Sequence, residues 1–194
     1  SSNGMPLEPE QQLNIITAQA QNQPRVAMDF TDASFLVVWQ SSNSEDGDSD
    51  GRSIQARGML WSGIPTTQRE FQVNQETEDG QFDPNVANVG PKEYTVVWET
   101  DYTDDRTMAM RSVGLEGALL GGEIDLSGSA LRPQDVNIGG NGAGSSLTVY
   151  KEAGLDDVVP SNRDGIRARR WGHPCATGEP GDCVEDATTL CLLD

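Results

Sequence analysis

The feature that most constrains this chain is an internal repeat: four short strand-forming patterns return three times in a fixed order. Phe35-Leu36-Val37-Val38-Trp39, Tyr94-Thr95-Val96-Val97-Trp98 and Leu147-Thr148-Val149-Tyr150 are apolar runs rich in β-branched and aromatic side chains, the composition of strands buried on both faces. These are the B strands. Downstream of each, Ile54-Gln55-Ala56-Arg57, Met108-Ala109-Met110-Arg111 and Ile166-Arg167-Ala168-Arg169 alternate apolar with polar and end on an arginine, which predicts half-buried C strands. Upstream, Pro24-Arg25-Val26-Ala27, Pro84-Asn85-Val86-Ala87 and Pro133-Gln134-Asp135-Val136 each begin with a proline, tolerated where a strand opens; these are the A strands. Leu13-Asn14-Ile15, Phe71-Gln72-Val73-Asn74 and Ile124-Asp125-Leu126 alternate again and form the D strands.

The expected fold is therefore all-β: three repeats of a four-stranded antiparallel meander in the order D-A-B-C, β-propeller-like, with a threefold β-trefoil or β-prism as the alternative. The repeats cover about residues 12–60, 70–114 and 123–172, between an N-terminal extension (1–11) and a cysteine-bearing tail (173–194). Only Leu115–Leu120 reads as helical, and Gly121-Gly122 ends it after a turn. Cut this way, the first D strand (Leu13, Ile15, Ile16) lacks a preceding C strand, and the last C strand (Ile166, Ala168) lacks a following D strand. The two ends are complementary. They either pair within one molecule or join neighbouring molecules, so a closed monomer, a six-bladed dimer and a head-to-tail filament all remain open.

Charge narrows the partners. The chain has 194 residues, with 31 acidic against 13 basic side chains and a net charge of −18, which repels phosphate backbones and anionic lipid and argues against a nucleic-acid partner. No stretch approaches the roughly 18 to 20 apolar residues of a transmembrane segment. The polar start at Ser1 reads as a processed end. Together with Cys175, Cys183 and Cys191 clustered in the tail, it predicts an extracellular or cell-surface location after removal of a signal peptide.

The strand motifs resemble the long repeats of large secreted bacterial proteins that accompany RTX-type calcium-binding segments, read approximately as P-x-V-A, G-F-V-V-V-W, a D-G-rich loop, I-x-A-R-R-F and E-F-x-V-N. The matching pieces are Pro24–Ala27, Phe35–Trp39, Asp46–Gly51, Ile54–Arg57 and Glu70–Asn74, with Ile166–Trp171 in the third repeat. The third repeat departs most, with Tyr150 in place of the tryptophan and Asp135 before the valine. The resemblance implies a propeller-like repeat on a secreted or surface protein, and no reaction.

Asp46-Gly47-Asp48-Ser49-Asp50-Gly51 in the first B-to-C loop matches the first half of a calcium loop, with carboxylates at alternate positions and glycine at the sixth. Arg57 falls where an EF-hand has its bidentate glutamate, so weak extracellular calcium binding is expected rather than an EF-hand. The equivalent loops carry Asp101, Asp104 and Asp105, and Asp156, Asp157 and Asp164. Arg57, Arg111 and Arg169 share one position and are expected to pair with the chain's own acids. Trp39 and Trp98 are expected in the core, and Trp61 and Trp171 against its edge. One disulfide within the tail leaves a third thiol free for an intermolecular bridge, and a zinc site with His173 lacks the usual close cysteine pair. With one histidine and no nucleophile, phosphate or dinucleotide motif, no enzyme is expected. The expected function is a non-enzymatic, self-associating structural protein with calcium-binding loops, joined through its N-terminal strand or cysteine tail; the alternative is a carbohydrate-binding adhesin or lectin taking a surface glycan.

Overall fold

The computed structural model describes residues 9–42, 51–102, 105–126, 133–152, 165–172 and 191–192, with residues 102, 105, 191 and 192 as backbone alone. Three antiparallel four-stranded sheets form, each a meander of strands in sequence order. Sheet 1 holds β1 (Gln21–Asp29), β2 (Ser34–Ser42), β3 (Arg52–Leu60) and β4 (Phe71–Gln72). Sheet 2 holds β5 (Gln81–Gly90), β6 (Glu93–Tyr102), β7 (Asp105–Gly114) and β8 (Leu119–Asp125). Sheet 3 holds β9 (Gln134–Gly140), β10 (Ser145–Glu152), β11 (Gly165–Gly172) and β12 (Cys191–Leu192).

Each sheet contains one A, one B and one C strand in equivalent register. Arg57 faces Val37, Arg111 faces Val96 and Arg169 faces Thr148. Four details depart from the sequence expectation. First, a D strand pairs with the C strand before it, so the sheets are A-B-C-D rather than D-A-B-C. Second, Leu13–Ile16 forms no strand. Third, Leu115–Ala118 is the turn of the β7–β8 hairpin and not a helix, closed by a Gly114 N–H bond to the Ala118 carbonyl and by Gly117 at φ 86°.

The fourth departure is one of register. Val26, Val86 and Ile138 lie opposite Val37, Val96 and Thr148, so it is Val136 that takes the place of Pro24 and Pro84. Pro133 sits three residues earlier, where the other sheets have Gln21 and Gln81. Those glutamines accept hydrogen bonds from the Trp39 and Trp98 indole N–H groups at 2.9 and 3.0 Å. In sheet 3 both members of that pair change together, to Pro133 and Tyr150.

A sheet buried on both faces needs neighbours on both sides. Sheet 2 has them. Towards sheet 1 it presents Val86, Tyr94, Val96 and Trp98, packed against Leu36, Val38, Ile54, Ala56 and Val73. Towards sheet 3 it presents Ala87, Val97, Met108 and Met110, packed against Val136, Ile138, Tyr150 and Trp171. We call the face towards the preceding sheet the leading face and the other the trailing face. The two cores are thus two copies of one seam, trailing face on leading face. Trp171 lies within the second core rather than at its edge, with its indole N–H bonded to Thr148 Oγ1 at 3.0 Å.

Candidate functional site

Three polar contacts recur along the seam. Each A strand carries a β-bulge whose extra residue takes a left-handed backbone: Gln23 at φ 54°, Asp83 at φ 49° and Asp135 at φ 55°. The side chain after the B-strand aromatic of one sheet accepts the bulge N–H of the next. Gln40 Oε1 lies 3.4 Å from Asp83 N, and Glu99 Oε1 lies 2.5 Å from Asp135 N. The residue in that place in sheet 3 is Lys151.

The second contact explains the C-strand arginines. Arg111 donates to the Val73 carbonyl at 3.0 Å and Arg169 to the Leu126 carbonyl at 3.2 Å, each reaching the D-strand end of the preceding sheet. Arg57 donates to the Leu13 carbonyl in the same way. The described hydrogen bonds of these guanidinium groups go to backbone carbonyls, Arg111 also reaching Gly121 O and Arg57 reaching Thr67 O and Gln68 O, while the expected attraction to the chain's own acids is present between Arg111 and Glu123.

In the third, Glu70 just before β4 and Glu123 within β8 each bind two successive amides. Glu123 accepts the N–H groups of Gln75 and Glu76 at 2.8 and 3.3 Å, and Glu70 accepts those of Ile15 and Ile16 at 2.8 and 2.9 Å. Asn74 Nδ2 donates to the carbonyl two residues on, and Asn14 Nδ2 does likewise. Leu13–Ile16 therefore occupies on sheet 1 the place that residues 73–76 occupy on sheet 2. The N-terminal segment is positioned as the D-strand end of a sheet that would precede sheet 1.

The bulges of all three sheets meet in one polar cleft of roughly 290 Å³, lined by Gln23, Arg25, Asp83, Asn85, Glu99, Asp135 and Asn137 among others. Burial pushes the Glu99 carboxyl up from its ordinary value, reinforced by the neighbouring Asp83 and Asp135 charges and opposed by the Asp135 amide and by Arg106. Among the described residues its Oε2 finds no hydrogen-bond partner, and it lies 3.5 Å from the half-exposed Arg106 guanidinium. Burial likewise raises Glu123, against its two amide bonds. Asp29 goes the other way. Burial raises it, but bonds from the Lys92 and Thr31 amides and the Thr31 hydroxyl, with the Lys92 charge, more than offset that and hold it low.

The outer faces of the end sheets carry exposed apolar residues where the seams are dry, although on the sheet 1 face Phe35 and Val37 are half-buried and Trp39 is buried. On the leading face of sheet 1, Val26 is 61% exposed, whereas its equivalents Val86 and Ile138 are 6% and 7% exposed. On the trailing face of sheet 3, Ile166 is 78% exposed, against 0% and 1% for Ile54 and Met108, and Leu147 is 44% exposed against 0% for Leu36. Ala168 is exposed too, while Ala56 and Met110 are fully buried. Trp61, also exposed, stacks on Phe35 at the margin of the sheet 1 face, with ring centroids 5.7 Å apart.

Of the acids expected to hold calcium, Asp101 is the penultimate residue of β6, is largely exposed and lies 3.9 Å from Arg106. Asp105 opens β7 and is described as backbone alone. Asp46, Asp48, Asp50, Asp104, Asp156, Asp157 and Asp164 lie outside the described residues, as do Cys175 and Cys183. Cys191 opens β12 opposite Gly172. Among the described residues no three His, Cys, Asp or Glu side chains are grouped to hold a metal ion. No described helix is long and apolar enough to cross a membrane. Leu13, Ile15 and Ile16 come together with Arg57 and Glu70 on one end face, and Ile166 and Ala168 lie on the other. The bulge residues and the glutamate pair escaped the sequence reading, although Glu70-Phe71-Gln72-Val73 and Glu123-Ile124-Asp125-Leu126 carry the signal. Comparison with family models, with characterised proteins and with solved structures gives no match.

Proposed function

We propose that this chain is a non-enzymatic structural module of the extracellular space or cell surface, a propeller-like fan of three blades that self-associates and binds calcium in its B-to-C loops. One observation carries the self-association: each end sheet exposes apolar residues on its outer face, Val26 on one and Leu147 and Ile166 on the other, whose equivalents inside the molecule are buried. Burial of such faces is worth about 25 cal/mol per Å² of apolar surface. A face of this kind is the usual mark of an interaction site. Residues built into the seam have structural work there, and the lone His173 offers no base for chemistry. The clustered tail cysteines support the oxidising location.

Light scattering coupled to size exclusion, run over a concentration series with calcium and with chelator, tests this. The expected result is a mass above one chain that rises with concentration. A single-chain mass throughout overturns the proposal.

A second reading rests on the exposed Trp61, stacked on the half-buried Phe35, the kind of aromatic platform on which a sugar ring packs. Glycan-array binding that disappears with Trp61→Ala, by a protein that stays a single chain, is the result that reading requires.

A further inference from the structure

Resting on the self-association proposed above, we infer that the partner is a second copy of this chain, joined head to tail: the trailing face of sheet 3 of one copy seats on the leading face of sheet 1 of the other. The seam is one the chain already makes twice. Sheet 1 offers its trailing Leu36, Val38 and Ile54 to sheet 2, and sheet 2 offers its trailing Val97 and Met108 to sheet 3. The next trailing residues in the series are Leu147, Val149 and Ile166, and the leading residues that would precede the series are Val26, Phe35 and Val37. A back-to-back pairing would bring two trailing faces together and has no precedent within the molecule.

The edge hydrogen bonds point the same way. Val73 N–H donates to the Ile54 carbonyl and Leu126 N–H to the Met108 carbonyl, both at 2.8 Å, so a D-strand end closes each C strand at that place. Ile166 is the equivalent residue of sheet 3. The described D strand of that sheet, Cys191–Leu192, pairs with Gly172 and Trp171 at the opposite end of β11. Leu13 already stands on sheet 1 where Val73 stands on sheet 2, with its carbonyl bound by Arg57 as Val73 is bound by Arg111. Docking the two faces brings Leu13 of the second copy beside Ile166 of the first, to donate the edge bond that no D-strand end among the described residues supplies there. The contact is heterologous: the same chain supplies different surfaces at its two ends, and each copy keeps one of each free for the next.

The test uses the full chain with Val26→Asp, which spoils the leading face, and Ile166→Asp, which spoils the trailing face. Both side chains are largely exposed, so folding is preserved and is verified by circular dichroism and melting. Sedimentation velocity is expected to find the unsubstituted chain associated and each variant alone monomeric, its dissociation constant raised by at least about 30-fold. An equal mixture of the two variants is expected to form a pair, because one intact leading face then meets one intact trailing face. If either variant alone associates as the unsubstituted chain does, or if the mixture stays monomeric, the head-to-tail contact is wrong while self-association stands. If the unsubstituted chain is itself monomeric at every concentration, both fall together.

Discussion

At the seam, Gln40 and Glu99 perform one task with different charge, each accepting the bulge amide of the next sheet. Gln40 does so without desolvating an ion, whereas burial raises the Glu99 pKa. The folded state therefore holds the Glu99 proton more tightly than the unfolded chain does. That contribution favours folding as pH falls through the folded value and opposes it above. Glu99→Gln copies the solution already present in sheet 1. It is expected to match or exceed the unsubstituted chain at neutral pH, by up to about 1 kcal/mol, with the gap closing as pH falls through the carboxylate range. A clear loss of stability at neutral pH, read by denaturant melts, would mean that the Arg106 contact outweighs the desolvation. Asp29 has the opposite sign. Its pKa is depressed, so its contribution is complete above the unfolded value and is lost as pH falls through the folded one. Asp29→Asn is expected to cost about 1–3 kcal/mol at neutral pH, because it weakens the buried charge-assisted bonds to Thr31 and Lys92, and to cost less in acid. A pH-independent difference between Asp29→Asn and the unsubstituted chain would exclude ionisation as the cause.

The elements are held together by backbone approach as well as by side chains, and glycine marks where. A Cβ at Gly58 of β3 would overlap the Leu115 carbonyl oxygen, which Thr66 Oγ1 also binds at 2.8 Å. A Cβ at Gly139 of β9 would meet nothing within 4 Å. Gly58→Ala is accordingly expected to lower stability by more than about 2 kcal/mol, since backbone must shift to admit the methyl group. Gly139→Ala should leave it unchanged or raise it by up to about 1 kcal/mol through the smaller entropy lost by alanine. Equal melting points for the two variants would show that sheets 1 and 2 do not approach there. The B and C strands were legible because period-two alternation and β-branched runs follow directly from burial. What was illegible was pairing. Nothing in Phe71-Gln72-Val73 says whether it completes the strand before it or the one after, and Pro133 imitates Pro24 and Pro84 from three residues away. The expectation that all B strands are buried on both faces holds only for sheet 2, where Tyr94, Val96, Val97 and Trp98 are dry. Composition cannot distinguish a middle sheet from an end one, since the end sheets carry the same apolar pattern with no described sheet to cover it. The candidate site was half legible: Leu13, Ile15, Ile16, Ile166 and Ala168 were marked by the unequal ends of the repeat, while the glutamate and arginine contacts required three-dimensional register.

For the whole molecule, a net charge of −18 sets the terms on which two copies can meet. Like-charged chains repel over a Debye length, about 30 Å at 0.01 M salt and about 8 Å at 0.15 M. Association through apolar faces should therefore tighten as sodium chloride rises over that range, whereas an interface dominated by ion pairs would loosen. Calcium adds a separable effect. Ions bound in the acidic B-to-C loops would lower the charge of each copy directly, so millimolar calcium should strengthen association beyond what sodium chloride of equal ionic strength achieves. The substitutions Asp46→Asn, Asp48→Asn and Asp50→Asn combined should remove the first loop's share of the calcium-specific part and leave the salt dependence in place. They also raise the net charge, so the triple variant is expected to associate slightly more tightly than the unsubstituted chain in chelator. Sedimentation across the two titrations separates the cases. Equal responses to calcium and to matched sodium chloride would remove the ion from assembly and leave charge screening as its sole electrostatic control.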